Sequence, residues 1–420
     1  MKHKVFSTII LTLIISFFYT SFMLGFNNNT GYINATGTVF KRFDDGKLTS
    51  DDKLLVVGQS NGDIGLIVQY NLDGTLDTNF GVNGFLTTNI VVRFSSVAID
   101  SQDRIVAVGL VGAGTPDGVV ARFNPDGSLD TEFNDTGWRN TEADFDSFSL
   151  NCVIVDDQDR IIVVGETDGT DRNSIIARFT AAGDLDTDFA GGDGFINTEN
   201  GGTDSFLFNA VAFDDQQRIV AVGKTDANTG LIIRYTANGV LDTVFDDTPT
   251  VFSFEDCVFD KDQKLIVTGV VANNTSIISR YNTDGTLDDS FNAPNGYINT
   301  QGQTGTSTFY KCLVTNNDKI VVVGLTNTGN GIIAQYNPDG TINTSFNGVG
   351  YFTTQGIVPA TFYGAIINNA NRVYAFGETQ NNAFVMSLLA NGTLNIETIW
   401  NIFNYQAYWQ QEGKSIALLG

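Results

Sequence analysis

Histidine is all but missing from this chain. The single one in 420 residues is His3, inside an N-terminal apolar segment, so the remainder has no imidazole for a Ser-His-Asp triad, for zinc or for quinone-type chemistry. Cysteine is nearly as scarce. Cys152, Cys257 and Cys312 have no zinc spacing, and their odd number argues against a disulfide framework. All three fall in equivalent apolar strands of different repeats, which reads them as small buried core residues. Proline is held to 6 residues against 44 glycines and 32 phenylalanines, and no long apolar helical period follows residue 26. That composition suits short strands and tight turns. Positive charge is also short. With 23 Lys and Arg against 47 Asp and Glu, the formal charge is −24, which argues against nucleic acid as a partner. So acidic a surface is either solvated loop or an attractant for cations and basic partners.

The chain opens MKHKVFSTIILTLIISFFYTSFMLGF, a basic start followed by an apolar run from Val5 to Leu24. This reads as an export signal, and the protein is expected in the periplasm, at the cell surface or outside the cell. The run is long for a signal core and no small-x-small cleavage site follows, so an uncleaved membrane anchor is the alternative. There is no lipobox cysteine. The expected division is a leader over residues 1–25 and one repeat domain over 26–420, touching a membrane only through the leader.

An apolar strand ending in glycine recurs as LLVVG to Gly58, IVAVG to Gly109, IIVVG to Gly165, IVAVG to Gly223, LIVTG to Gly269, IVVVG to Gly324, VYAFG to Gly377 and IALLG to Gly420. Such a period marks stacked supersecondary units, each burying its faces on its neighbours. One period holds four strands, as in SSVAID (A, Ser95–Asp100), RIVAVGL (B, Arg104–Leu110), GVVARFN (C, Gly118–Asn124) and GWRNTE (D, Gly137–Glu142). Strand B is apolar throughout and so must be buried on both faces, unlike a membrane-barrel strand, which alternates. Sheets packed face to face around an axis satisfy this. The expected fold is all-β, a single β-propeller of four-stranded blades. Gly25–Ala35, GFNNNTGYINA, matches Ser290–Thr300, SFNAPNGYINT, so the N-terminus supplies a lone D strand that closes the ring. Counting the A and B strands in the tail gives eight blades. If the N-terminal strand replaces the weak D segment near Thr398–Asn401, the number is seven.

After each strand C comes a variant of DGTLDTNF: NPDGSLDTEF, TAAGDLDTDF, TANGVLDTVF, NTDGTLDDSF, NPDGTINTSF and LANGTLNIET. This pattern resembles the delta-60 repeat family of bacterial exported and surface proteins, over nearly the whole chain beyond the leader. The resemblance implies a propeller-like fold and carries no activity onto any residue.

The first copy, YNLDGTLDTNFGVNGF (Tyr70–Phe85), places Asn71, Asp73 and Asp77 around a glycine as a calcium loop would. An EF-type loop needs a carboxylate two residues earlier, where Gln69 stands, and a distant bidentate Glu. Sister copies have Arg122, Arg178, Arg234 or Arg280 at that earlier place, and a cation there opposes another cation. The motif is therefore read as a C–D hairpin whose Asn-Gly or Asp-Gly pair takes positive backbone angles. Asp77 is read as an anchor and Phe80 as a packing wedge. Strand C and the segment after the turn run side by side, which predicts structural pairs Arg122–Asp130, Arg178–Asp186, Arg234–Asp242 and Arg280–Asp288. Both charges vanish together in blade six, as Gln335 and Asn343, whereas blade one, with Gln69 and Asp77, breaks the rule.

The A–B and C–D turns repeat closely, whereas the B–C and D–A loops vary and lie together on the opposite face. The variable face is the candidate binding surface. Its acidic residues are Glu142, Asp144, Asp146, Glu166, Asp168, Asp171, Glu199, Asp204 and Asp226, interrupted by Arg172. The functional expectation is a non-enzymatic scaffold that binds protein, glycan or envelope partners there. No cofactor or metal is expected, with calcium as the one candidate ion. The alternative is a carboxylate-based glycan hydrolase at the ring axis, which requires two carboxylates from different blades facing one pocket.

Overall fold

The computed structural model describes residues 32–34 and 40–396, apart from 61–62, 113–116, 142–143, 145–146, 168–172, 199–205, 226–228, 245–250, 272–274 and 381. The segment 1–25 expected as a leader and the A and B strands expected after residue 396 lie outside the described residues.

Four antiparallel strands make one blade. In blade three they are Ser147–Val155, Ile161–Thr167, Ser174–Phe179 and Phe195–Asn197, in that spatial order from the axis outward. Seven such blades form the ring. Their inner strands are Phe40–Leu48, the second half of Phe85–Ile99, Ser147–Val155, Phe206–Phe213, Val251–Phe259, Ser307–Val314 and Thr361–Ile367. Phe85–Ile99 belongs to two blades, since its first half pairs with Ile64–Tyr70 and its second with Ile105–Val111.

The choice between seven and eight blades is decided by the N-terminal strand. Tyr32–Asn34 pairs antiparallel with Asn382–Leu388, with Tyr32 opposite Met386 and Asn34 opposite Phe384. It is the outer strand of blade seven. The ring thus closes by joining the two ends of the described chain within one sheet, and blade seven is complete without the tail.

The B strands explain why the blades pack. Leu54–Ser60 is buried along its whole length, and its alternate side chains enter the cores on either side. Leu54 and Val56 join Tyr374 and Phe376 of blade seven, while Leu55 and Val57 join Val97 and Ala107 of blade two. One apolar cluster fills every interface, including that between blades seven and one. Each fully buried Val, Leu, Ile or Phe side chain contributes about 1.5–3 kcal/mol.

The C–D turn departs from expectation in its backbone. Gly74, Gly127, Gly183, Gly239, Gly285, Gly340 and Gly392 all have φ between 80 and 94°, but the residue before each, an Asp or Asn except for Ala182, is not left-handed. Gly74 N–H donates to Asn71 O at 2.8 Å and Asn71 N–H to Thr75 O at 2.8 Å, so only the glycine needs the left-handed region. Asp73 contributes through its side chain, where Oδ1 accepts from Thr75 N–H at 2.9 Å and from Thr75 Oγ1 at 2.7 Å. That is why blade three tolerates Ala182 before Gly183.

Candidate functional site

The glycine expected to end each B strand is instead the fifth of its seven residues, and it organises the inner rim of the ring. A Cβ on Gly109 would lie 1.8 Å from the carbonyl oxygen of Arg93, and one on Gly165 2.0 Å from that of Ser149. The backbone comes this close because the neighbouring inner strand bulges there. The ladder steps from Phe94 to Ser96 opposite Gly109 and Val108, and the same step recurs in all seven blades. The residues left unpaired are Asp44, Ser95, Asn151, Asn209, Glu255, Tyr310 and Tyr363. They lie near the middle of the innermost strands, around the axis, and they differ in chemistry from blade to blade.

Contacts run around this ring from one blade to the next. Asn151 Nδ2 donates to Phe208 O at 2.9 Å and Asn209 Nδ2 to Phe254 O at 2.8 Å. The Tyr310 and Tyr363 rings are 5.7 Å apart, and the Arg42 guanidinium lies 4.5 Å from the centre of the Tyr363 ring. Arg42 also pairs with Asp44, which Arg93 of blade two approaches at 3.9 Å. Tyr363 Oη donates to Glu378 Oε1 at 2.8 Å. Burial, followed by that carboxylate, pushes the Tyr363 hydroxyl up to about 12, so it stays a donor at neutral pH. Burial also raises Glu255, against the lowering effects of a hydrogen bond from Ser253 and the charge of Lys224.

A second polar belt lies one residue further along the inner strands. Asp45 Oδ2 accepts from Ser96 Oγ at 2.8 Å and from Val97 N–H at 3.1 Å, linking blades one and two. Asp256 accepts from Cys312 N–H at 2.8 Å and pairs with Lys311 Nζ at 3.2 Å, linking blades five and six. Burial opposes the charge of Lys311, but Asp256 and Asp45 keep it protonated. The cysteines are free, with Cys257 and Cys312 buried and Cys152 partly so.

Of the acidic loop residues singled out in the sequence, Glu142, Asp146, Asp168, Asp171, Arg172, Glu199, Asp204 and Asp226 lie outside the described residues. Asp144 is held in a two-pronged pair with Arg139, at 2.8 and 2.7 Å. Glu166 accepts from Ser149 Oγ at 3.2 Å. Among the described residues no group of three or more His, Cys, Asp or Glu is placed to hold a metal ion.

The opposite face carries the repeated pairs. Arg122, Arg178, Arg234 and Arg280 donate from Nε to Asp130, Asp186, Asp242 and Asp288 at 2.6, 2.7, 2.5 and 2.6 Å. Blade six substitutes a neutral bond, with Asn343 Nδ2 donating to Gln335 Oε1 at 2.6 Å. The wedge phenylalanines reach into the next blade, where a Cβ on Gly183 would stand 2.7 Å from the Phe133 ring. The sequence reading assigned this face to structure, but it missed the axial ring. The signal was present. Each ring residue stands fourteen positions before a B-strand glycine, as Asp44 does before Gly58 and Tyr363 before Gly377.

Five segments of the chain, residues 49–80, 103–133, 159–189, 261–291 and 315–346, match a family described as domain of unknown function (DUF5122) beta-propeller. Each runs from an A–B turn to a wedge phenylalanine: Phe80, Phe133, Phe189, Phe291 or Phe346. No curated protein matches the chain. Among solved structures, YCF48 from Cyanidioschyzon merolae is similar over 85% of this chain and 99% of its own, with 9% identity and a TM-score of 0.51. The WD40 beta propeller domain of Doa1 covers 85% of this chain and 97% of its own at 10% identity and a TM-score of 0.48. At these identities the likeness concerns the fold alone.

Proposed function

We propose, for a propeller assembled from repeats of the DUF5122 beta-propeller family, the role of an exported, non-catalytic binding scaffold. Its binding surface is the D–A and B–C loop face, centred on the axial ring. The observation that carries this reading is the ring of bulged residues. The scaffold repeats glycine, apolar strand and turn in every blade, yet at this one inner position it presents Asp44, Ser95, Asn151, Asn209, Glu255, Tyr310 and Tyr363. A repeated frame supplies rigidity, and a varied rim supplies specificity.

A protein segment is the first partner to test. The acidic residues that the sequence assigns to the D–A and B–C loops favour basic side chains, and tyrosines give contact area at little entropic cost. The Tyr310–Tyr363 pair also supports a second occupant, a glycan whose ring packs on the aromatic faces. Hydrolysis of that glycan would need a free acid and base facing one space. The described carboxylates around the mouth are instead held: Asp44 by Arg42, Glu378 by Tyr363, Glu255 by Ser253 and Glu166 by Ser149. Export rests on Lys2, Lys4 and the apolar run that follows them.

The test is a binding screen of residues 26–420 against protein and glycan arrays, with and without calcium. The scaffold reading expects at least one ligand that competes at the loop face and is recovered intact. Finding no ligand, or finding only cleaved glycan, would count against it.

A further inference from the structure

One blade lacks the arginine that its surroundings are shaped to hold. In blades two to five, that arginine's Nη1 donates to a carbonyl in the following turn, at Ala181, Ala237, Thr283 and Pro338, while its Nε holds its own blade's aspartate. In three of these blades the guanidinium also lies 4.7 or 4.8 Å from the centre of the wedge phenylalanine. Aspartate, carbonyl and aromatic face together form a socket for one flat cation.

Blade one keeps the socket and replaces the arginine with Gln69. Gln69 is 6% exposed, and among the described residues its side chain bonds neither Asp77 nor the Pro125 carbonyl, the two groups an arginine would hold. Asp77, Phe80 and the turn residue Pro125 stand where their counterparts do in the sister blades. With Gln69 they line a cleft of about 400 Å³ between blades one and two, joined by Asp103 and Asp126. Lys53 Nζ approaches Asp77 at 3.4 Å, but a lysine there does not take the arginine's place. In blade five, Lys264 and Arg280 bind Asp288 together, at 2.8 and 2.6 Å. Blade six resolves the same substitution differently, with Asn343 in place of the acid and bonded to Gln335. Among the described blades, only blade one keeps the acid with a glutamine in the arginine's place.

We propose that this cleft is a receptor site for a guanidinium group brought by another molecule, the arginine side chain of a partner polypeptide. The incoming group donates to Asp77 and to the Pro125 carbonyl and lies on Phe80, as Arg280 does within its own blade. A lysine ammonium meets the carboxylate alone. The site is on the A–B and C–D turn face, opposite the D–A and B–C loops, so it does not depend on the reading of the axial ring.

The test is a titration of the 26–420 chain, followed by calorimetry and NMR, with N-acetylarginine methylamide and with N-acetyllysine methylamide as the matched probe. The arginine probe is expected to bind at least about tenfold tighter. Gln69→Arg supplies the guanidinium from within, so it should raise the melting temperature and abolish arginine binding. Asp77→Asn recreates the neutral Gln–Asn pair already accommodated in blade six, so it should fold and also lose binding. Equal binding of the two probes, no binding of either to wild type, or arginine binding retained in folded Asp77→Asn overturns the proposal.

Discussion

Arg178 and Ala237 belong to different blades, and the guanidinium Nη1 of the first donates to the carbonyl of the second at 2.6 Å. The same side chain holds Asp186 through Nε at 2.7 Å and lies 4.8 Å from the centre of the Phe189 ring. One buried arginine therefore joins strand C, the segment after the turn and the neighbouring blade. The sequence motif is a clasp between blades.

Breaking one clasp should cost far more than a surface ion pair. Arg178 is 1% exposed, and removing it leaves Asp186 buried without its partner. Arg178→Ala should destabilise the protein by about 3–5 kcal/mol. The double change Arg178→Gln with Asp186→Asn installs the blade-six pair and should cost less than the single change. Urea unfolding midpoints of the two variants test the order, and a smaller loss for Arg178→Ala would contradict it.

The B-strand glycines should be intolerant for a steric reason. Gly109→Ala brings a methyl to 1.8 Å from Arg93 O and should cost about 3 kcal/mol or more, because a backbone carbonyl cannot move aside as a side chain can. Gly302→Ala, where a Cβ meets nothing within 4 Å, should stay within about 0.5 kcal/mol of wild type. Thermal unfolding of the pair separates close approach from a general effect of losing glycine.

The clasps also set a pH dependence. Burial works against the charge on Asp288, yet hydrogen bonds from Lys264, Ser290 and Arg280 hold its carboxyl well below the ordinary range. A depressed folded pKa contributes stability above the unfolded value of about 3.9 and loses it as the pH falls towards the folded value. Asp288→Asn should be less stable at neutral pH and show a flatter decline in stability below about pH 4. An unchanged acid slope in stability measured against pH would contradict the assignment.

Much of this architecture was legible in the sequence, because repetition did what an alignment usually does. Burial of Leu54–Val57 follows from the unbroken apolar run LLVV, and the match of Gly25–Ala35 to Ser290–Thr300 anticipated the strand that closes blade seven. The turn glycines were legible as well, although the partner of Gly74 proved to be a side-chain bond from Thr75 to Asp73 rather than a second left-handed residue. The axial ring was harder to see. Tyr310 and Tyr363 sit inside apolar strands where alternation alone assigns them to a blade face, and only the bulge opposite Gly324 and Gly377 turns them to the axis. A bulge is a three-dimensional event. Its trace was the constant spacing to a glycine whose purpose was visible only once a carbonyl stood against it.

The most direct test of the account is the effect of the paired variant Tyr310→Ala with Tyr363→Ala on the affinity of ligands bound by wild type, each recovered afterwards and checked for cleavage. The account predicts a folded variant, a loss of affinity of about tenfold or more, and ligand recovered intact from both proteins. Unchanged affinity in the folded variant, or a glycan cut by the wild-type protein, would contradict it.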